Sequence, residues 1–526
     1  MTGRIMAMEW VGFRVWERWK AWRDVVFLTG ATAIYALLSL SLLLRVPGSH
    51  PDEAYIAQAA LSLVRDGVMA TPSLAEIIPS FGEHTFWYPP AHFLALAADF
   101  KVLGFGLVQL RLFSVLMGLV AVVFLFLALR RVSRNWWPVA AATVVVVTDP
   151  TYLEACRTGR METMTMAAVC VGAYCYVRSL NQARGSSYWV GLAGTFVAVA
   201  WLTHPLGLAL AAAVFLSELM VAVECRRIDV HRLALLAVPS LVGGLAWLLY
   251  IAQDLNGFRE QMEMQAMTHP HGLTLGYVPH VLRSYHPEFV PIFLTYVLLA
   301  FFALVLHARR ASPSGRFLAV LFVLGVVMAL YGVATRAYLA YLSLYGAGSL
   351  ALVMSRVPIT RLGMRLPLLA VIALASGILL MNVAVDSYLI QKYRVRIAAE
   401  TDSLRLSRDV DALIPDDQRI VLATSASFFE MARHRELRDL IMLPRGHEDE
   451  LRQALETSDY IVTGVRGGVS LVPESYPTIV KFVEARGELV GTVGYECSSC
   501  AIYRVWKVVP AADAAQAGEP ATARDE

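Results

Sequence analysis

Residues 107–129 read LVQLRLFSVLMGLVAVVFLFLAL, and the placement of such stretches decides the fold. About 20 apolar residues at 1.5 Å each cross a hydrocarbon core of about 30 Å, so this run is a membrane span. Working outward, comparable runs bounded by charge lie near 25–44, 136–148, 161–177, 188–203, 206–223, 233–252, 288–306, 317–333, 337–354 and 366–385. The expectation is an all-α polytopic membrane domain of eleven transmembrane helices. The 136–148 run is short, and His204-Pro205 reads as either a kink or a loop. Composition agrees: 57% of the 526 residues are hydrophobic and 17% charged, whereas soluble domains average about 25% charged. A single water-soluble globule, a disordered chain and a disulfide-rich secreted scaffold are excluded. A net charge of +3 makes no case for nucleic acid.

Orientation follows from the basic residues, which favour short cytoplasmic loops. With residues 1–24 inside, the inner segments carry nineteen Lys and Arg and the outer connections eight. This predicts a cytoplasmic N-terminus and an outer C-terminus in the plasma (inner) membrane. Residues 90–104 are apolar but only fifteen long, with His92 and Asp99 on one helical face; they suit a helix lying in the interface. Reading them as a span would put most Arg clusters outside. The first apolar run begins near residue 25, is span-length and lacks a small-residue cleavage site, so a retained anchor is expected, with Trp10, Trp16, Trp19 and Trp22 at the cytoplasmic surface.

The domain plan is a cytoplasmic amphipathic N-terminus (1–24), a transmembrane domain (25–386) with a large first outer loop (45–106), a small outer α/β domain (387–510) and a disordered tail (511–526). Strand-like runs at 419–424, 459–464, 488–493 and 501–507 alternate with helical stretches such as 447–457 and 474–486. Cys156, Cys170, Cys175 and Cys225 read as packing residues. Cys497 and Cys500 form a CxxC without a second pair, which leaves a local disulfide as the alternative to free thiols.

The first outer loop is too long for a mere connection. It opens Ser49-His50-Pro51-Asp52-Glu53, followed by an amphipathic helix to about Arg65. Ser49 to Asp52 is a capping-box pattern, Pro51 suits a first helical turn, and acids there favour the helix dipole. Paired acids at a membrane surface also supply a general base, and both readings can hold together. Phe86-Trp87-Tyr88-Pro89-Pro90-Ala91-His92 reads as an aromatic belt before an interfacial helix. Arg157, Arg160 and Glu162 stand at the mouth of a span, where an ion pair is the plain reading and a functional acid the sharper one. His269, His271, His280 and His286 lie among Pro and Gly without metal-ligand spacing. Thr335-Arg336-Ala337-Tyr338 begins an outer span end, where Arg336 can hold a phosphate or snorkel to headgroups.

Together these features resemble the polytopic glycosyltransferases of the GT-C fold, in particular family 39 and its relatives: protein O-mannosyltransferases, lipid A aminoarabinose transferases and RgtA/B/C/D-like enzymes. One span precedes an acid pair, here in HPDEAYIAQAALSLVRDG. A Pro-Pro element, FWYPPAHFLALAADFKVLGFG, leads into QLRLFSVLMGL. An R-x-x-R-x-E/D element follows as Arg157, Arg160 and Glu162. WLTHPLGLAL and TRAYLAYLSLYGAGSLAL resemble two further segments of the family, and the likeness covers about 45–355. Tyr88 stands where the family often has Lys, His204 replaces the Lys after Leu-Thr, and Glu162 replaces an Asp.

The resemblance implies transfer of a hexosyl or pentosyl group from a polyprenyl-phosphate donor to a glycan, lipid or protein acceptor, by single displacement with inversion. It implies Asp52 as general base, with Glu53 or Glu162 orienting it. Arg336, with His204, Arg157 and Arg160, would contact the donor phosphate, and Tyr88, His92 and Tyr338 would line the substrate groove. No metal ligands are specified, though a lipid phosphate leaves room for a divalent cation. Two rivals stand: a transporter or lipid-handling protein, which predicts inverted repeats and midplane charges, and an inactive scaffold.

Overall fold

The computed structural model describes residues 2–44, 51–75, 78–133, 135–182, 186–268, 290–308, 312–331, 338–356, 365–391, 403–416, 418–423, 437–439, 448–466, 469–470, 477–494 and 501–510. Arg336, Ser49, His50, the four loop histidines, the CxxC and the tail lie outside them.

Each of the eleven predicted apolar runs carries a helix. In chain order the membrane portion comprises α1 (Thr2–Ser41), α2 (Pro51–Asp66), α3 (Ala91–Leu103), α4 (Leu107–Val132), α5 (Trp136–Val147), α6 (Pro150–Cys156), α7 (Glu162–Leu180), α8 (Ser186–Thr203), α9 (Leu208–Cys225), α10 (Val230–Ile251), α11 (Leu255–Thr268), α12 (Val290–Ala308), α13 (Pro313–Tyr331), α14 (Leu339–Arg356) and α15 (Arg365–Gln391). By length and composition, five of the described helices suffice to cross a membrane, or six if α5 and α6 count as one broken span. The chain is a multi-pass membrane protein.

The perimeter explains how these helices meet lipid. On α10, Leu241, Val242, Leu245, Leu248 and Leu249 are all exposed, as are Leu298, Phe302 and Val305 on α12. Contiguous apolar surface of this kind is tolerated where the solvent is hydrocarbon. The centre is α7, buried on nearly every face, as expected for a helix apolar all round. It packs between α4 and α8, while α14 packs against α5, α12 and α13.

Two local features set up the site. After α5 the chain bends by 60° into α6. Pro150 has no N–H to continue the helix, and Asp149 restarts it as N-cap, accepting from Thr151 N at 3.0 Å and Tyr152 N at 3.1 Å. At the other turn, Gly104 closes α3 with φ +85°, a left-handed value that suits glycine. The predicted interfacial helix is thus α3, separate from α4. His204-Pro205 is a short 3-10 turn, Pro205–Gly207, joining α8 to α9. Cys156, Cys170 and Cys175 are buried as expected, but Cys225, the last residue of α9, is exposed.

The C-terminal portion is α16 (Ser403–Asp411), β1 (Ile420–Ala423), β2 (Leu437–Asp439), α17 (Glu448–Thr457), β3 (Tyr460–Arg466), β4 (Val469–Ser470), α18 (Pro477–Arg486), β5 (Gly487–Gly494) and β6 (Ala501–Val508). The sheet runs β2-β1-β3-β6-β5, with β4 paired to β3. Strands β2, β1 and β3 are parallel and the β3–β6 and β6–β5 pairs antiparallel. One face packs on α16 through Val410 and Ile414. The other packs on α17 and α18 through Leu451, Leu455, Ile479 and Val483. Edge strand β2 lies against the 3-10 turn Pro72–Leu74 of the first loop. The domain and that loop therefore share one side of the bundle, which requires an even number of crossings between them.

Candidate functional site

The site forms where α2 meets the α6–α7 junction. Pro51 begins α2 with Asp52 and Glu53 in its first turn and Arg65 in its last, the arrangement a helix dipole favours. Successive residues at a helix start point to different sides, and the two acids diverge. Glu53 turns into the protein. Its carboxylate accepts from Arg111 Nε and Nη2, both at 2.8 Å, and from the Gly159 N–H at 2.9 Å. Gly159 is required there, because a Cβ would run into Leu110. Asp52 turns outward, with its side chain 34% exposed, and pairs with Arg160.

Arg160 is the hub. Its Nε donates to Glu162 Oε1 at 3.0 Å, Nη2 lies 2.9 Å from the same oxygen, and Nη1 donates to Asp52. Burial opposes its charge, but Glu162 and Asp52 outweigh that and hold the guanidinium well above its ordinary pKa. Glu162 is the first residue of α7, buried, with Tyr341 of α14 donating to its backbone carbonyl at 3.3 Å. Of the three acids at this site, only Asp52 is open to approach.

Above this trio sits an aromatic wall. Leu206 N–H donates to His204 Nδ1 at 3.2 Å, which places the ring proton on Nε2, 3.2 Å from the Tyr338 hydroxyl. The Tyr88 ring stacks on His204 at 5.7 Å, and its hydroxyl interacts with that of Tyr338. Burial pushes His204 down to about 4, only partly offset by Glu162. At neutral pH it is an uncharged hydrogen-bonding ring. His92 on α3 is likewise buried and pushed down to about 4 by desolvation. Neither of its ring nitrogens has a partner among the described residues, and it too feels the charge of Glu162.

The structure thus gathers Asp52, Glu162, Arg160, Tyr88, His204, Tyr338 and His92. It sends Glu53 into a brace. It turns Arg157 elsewhere: Nε donates to Leu153 O at 3.0 Å, and Asp386 of α15 is its foremost electrostatic neighbour. Arg336 is outside the described residues. Among the described residues no three His, Cys, Asp or Glu side chains are grouped to hold a metal ion.

Residues 88–250 match the family described as dolichyl-phosphate-mannose-protein mannosyltransferase. Solved structures match over most of the chain. ArnT from Cupriavidus metallidurans bound to undecaprenyl phosphate superposes with a TM-score of 0.56 at 15% identity, covering 91% of this chain and 97% of that one. The oligosaccharyltransferase AglB from Archaeoglobus fulgidus, in complex with an inhibitory peptide and a dolichol-phosphate, gives 0.51 at 11% identity, covering 84% and 69%. This chain has the GT-C glycosyltransferase fold. No curated protein sequence matches it.

On the GT-C frame, sequence reasoning passed over Arg111, Tyr341 and Asp386. Arg111 had a usable signal: an ionisable group inside an apolar span is paired or functional. Its partner Glu53 is 58 positions away, and nothing local names it. Asp386 carried the same kind of signal, near the end of the last apolar run.

Proposed function

We propose that this protein is a membrane glycosyltransferase that moves a sugar from a polyprenyl-phosphate donor to an acceptor hydroxyl at the outer membrane boundary. The observation that carries this reading is the Asp52–Arg160–Glu162 arrangement: one accessible carboxylate held by a buried arginine that a second, buried carboxylate fixes from behind. Long-chain isoprenoid phosphates in two GT-C structures of similar fold support the donor class. The exposed apolar flank supports access from the bilayer.

In this reading Asp52 takes the proton of an acceptor hydroxyl as the acceptor oxygen bonds to the anomeric carbon. The bond from that carbon to the phosphate oxygen breaks, and polyprenyl phosphate leaves with the electron pair. The sugar is inverted. Arg160 aims the Asp52 carboxylate, and Glu53 fixes the height of α2 through Arg111. His204 donates to Tyr338, which frees the Tyr338 hydroxyl proton for a phosphate oxygen, with Tyr88 beside it. Arg336, two positions before Tyr338 in the chain, supplies positive charge to that phosphate. Preorganised donors of this kind stabilise a leaving oxyanion. Eleven crossings, a cytoplasmic N-terminus and an outer C-terminal domain complete the reading.

The test is mass spectrometry of membrane lipids and envelope glycans from cells with and without the protein, together with transfer by purified protein from a polyprenyl-phosphate sugar. Accumulation of such a donor in cells lacking the protein, and its consumption in vitro, is the expected result. Unchanged lipid and glycan profiles would refute the assignment.

A further inference from the structure

The end of α7 remote from Glu162 carries a second polar cluster, which serves no step of the transfer. Arg178 stands in the last turn of α7, about 24 Å along the helix from Glu162 at 1.5 Å per residue. There α4 ends and α8 begins. Arg178 folds back onto the bundle. Its guanidinium lies over the Trp189 ring of α8, 3.9 Å from the centroid, and its Nη1 donates to the Tyr174 hydroxyl at 2.9 Å. Arg131, in the last turn of α4, lies over the same tyrosine, 5.9 Å from the ring centroid. Neither arginine meets a carboxylate among the described residues, whereas Arg130 pairs with Asp24 at 2.9 Å and Arg232 with Glu218 at 2.7 Å.

The groups this cluster leaves open are donors. The Arg178 Nε–H is buried and has no partner among the described residues. The Tyr174 oxygen accepts from Arg178, which leaves its own proton for an incoming oxygen. Two guanidiniums and a hydroxyl proton call for an anion with several acceptor oxygens, the chemistry of a phosphate. The surface leading to them is apolar. Phe124, Leu127 and Arg131 share one face of α4. Phe124 and Leu127 are half-buried, and Phe124 packs on Tyr174 with ring centroids 5.5 Å apart. α4 is long and apolar enough to cross a membrane, so Arg131 ends a span. Trp189 and the exposed Tyr188 stand in the first turn of α8, as aromatics do at headgroup level. An apolar stripe that ends in donors fits a lipid, and a soluble anion would leave the stripe unused.

We infer that Arg131, Arg178 and Tyr174 hold the phosphate of an anionic membrane phospholipid, with an acyl chain along Phe124 and Leu127. In the orientation proposed above this is the inner leaflet, whose anionic lipids favour basic sites at the ends of spans. A choline headgroup carries its own cation toward the two arginines and is disfavoured.

The experiment titrates purified full-length protein with dioleoyl phosphatidylglycerol or dioleoyl phosphatidylcholine and counts complexes by native mass spectrometry. One phosphatidylglycerol per chain should bind about thirtyfold more tightly than phosphatidylcholine, the worth of two arginines at an anionic headgroup. Arg131→Gln and Arg178→Gln should each cut that preference about fivefold. Arg227→Gln, at an exposed arginine just past the end of α9, should leave it unchanged. Should Arg178→Gln fold poorly, Arg131→Gln decides alone, since the Arg131 side chain is exposed. Equal affinity of the unaltered protein for the two lipids overturns the proposal. So does a loss in Arg227→Gln as large as in Arg131→Gln, which would mean diffuse attraction to a basic surface. Displacement of phosphatidylglycerol by millimolar inorganic phosphate would overturn it too, by showing a site for free anions.

Discussion

Glu53 and Arg111 face each other wholly out of water, joined at two points of 2.8 Å, with both side chains 0% exposed. The remaining Arg111 nitrogen, Nη1, donates to Leu43 O at 2.7 Å. The pair therefore ties the end of α1, the start of α2 and the body of α4 into one unit. Removing one member of such a pair leaves a buried charge and costs about 3–5 kcal/mol. Arg111→Gln and Glu53→Gln should each lower thermal unfolding in detergent and the yield of monodisperse protein. The double variant should lose less than the sum. Strictly additive losses would show that the two do not act as a pair.

Asp52→Asn should express and fold normally and lose transfer by at least about a hundredfold. General-base catalysis contributes about 10²–10⁴-fold, while loss of a helix-capping acid costs about 0.5–2 kcal/mol of stability. Turnover by a radiolabelled donor, set against the unfolding temperature, separates the two roles. Near-normal turnover would move the base to Glu162.

Arg336→Ala should weaken donor use by about ten- to a hundredfold, because a charge-assisted contact to phosphate is worth roughly 1.5–3 kcal/mol. The loss should fall on apparent donor affinity more than on acceptor affinity. An unchanged donor titration in purified protein would remove Arg336 from the site.

His92 and His204 are both held near 4 by burial, against about 6.5 when unfolded. Between those values the unfolded chain binds more protons than the folded one. Their contribution is thus fully present above pH 6.5 and is lost as pH falls toward 4, by up to about 1.4 kcal/mol per pH unit for each ring. Unfolding temperature should drop steeply from pH 6.5 to 5, and His92→Phe should reduce that slope. A flat profile over this window would mean the rings are solvated.

A reporter active only outside the cell, fused after residue 400, should give signal, since β2 rests on the Pro72–Leu74 turn and the distribution of basic residues predicts that turn outside. Signal only from a cytoplasmic reporter would reverse the orientation of the whole bundle, Asp52 included.

The apolar runs were legible because burial in lipid leaves a one-dimensional trace, a long stretch without charge. Strands β1, β3, β5 and β6 were legible because each is long enough to show a pattern. β2 and β4, of three and two residues, are not, and are strands only by pairing with longer neighbours. The Asp52-Glu53 pair was legible as a helix start, but its division of labour was not. Which acid meets solvent depends on Arg111 and Gly159, both distant in sequence. Arg157 and Arg160 look equivalent in the chain, yet α6 ends at Cys156 just before them, and the turn from Arg157 to Met161 hands each to a different neighbour. Chain spacing cannot encode that turn.

The contact between β2 and the Pro72–Leu74 turn also has a history in time. Gln58, on the same helix as Asp52, accepts from Ser73 N at 3.0 Å and Ser73 Oγ at 2.6 Å, so the turn and the acid-bearing helix move together. During synthesis that helix leaves the ribosome long before the strand that backs the Pro72–Leu74 turn. A chain cut short between α15 and β2 has every described membrane helix and still lacks the strand against that turn. Packing around that turn thus completes only after α15 has been made.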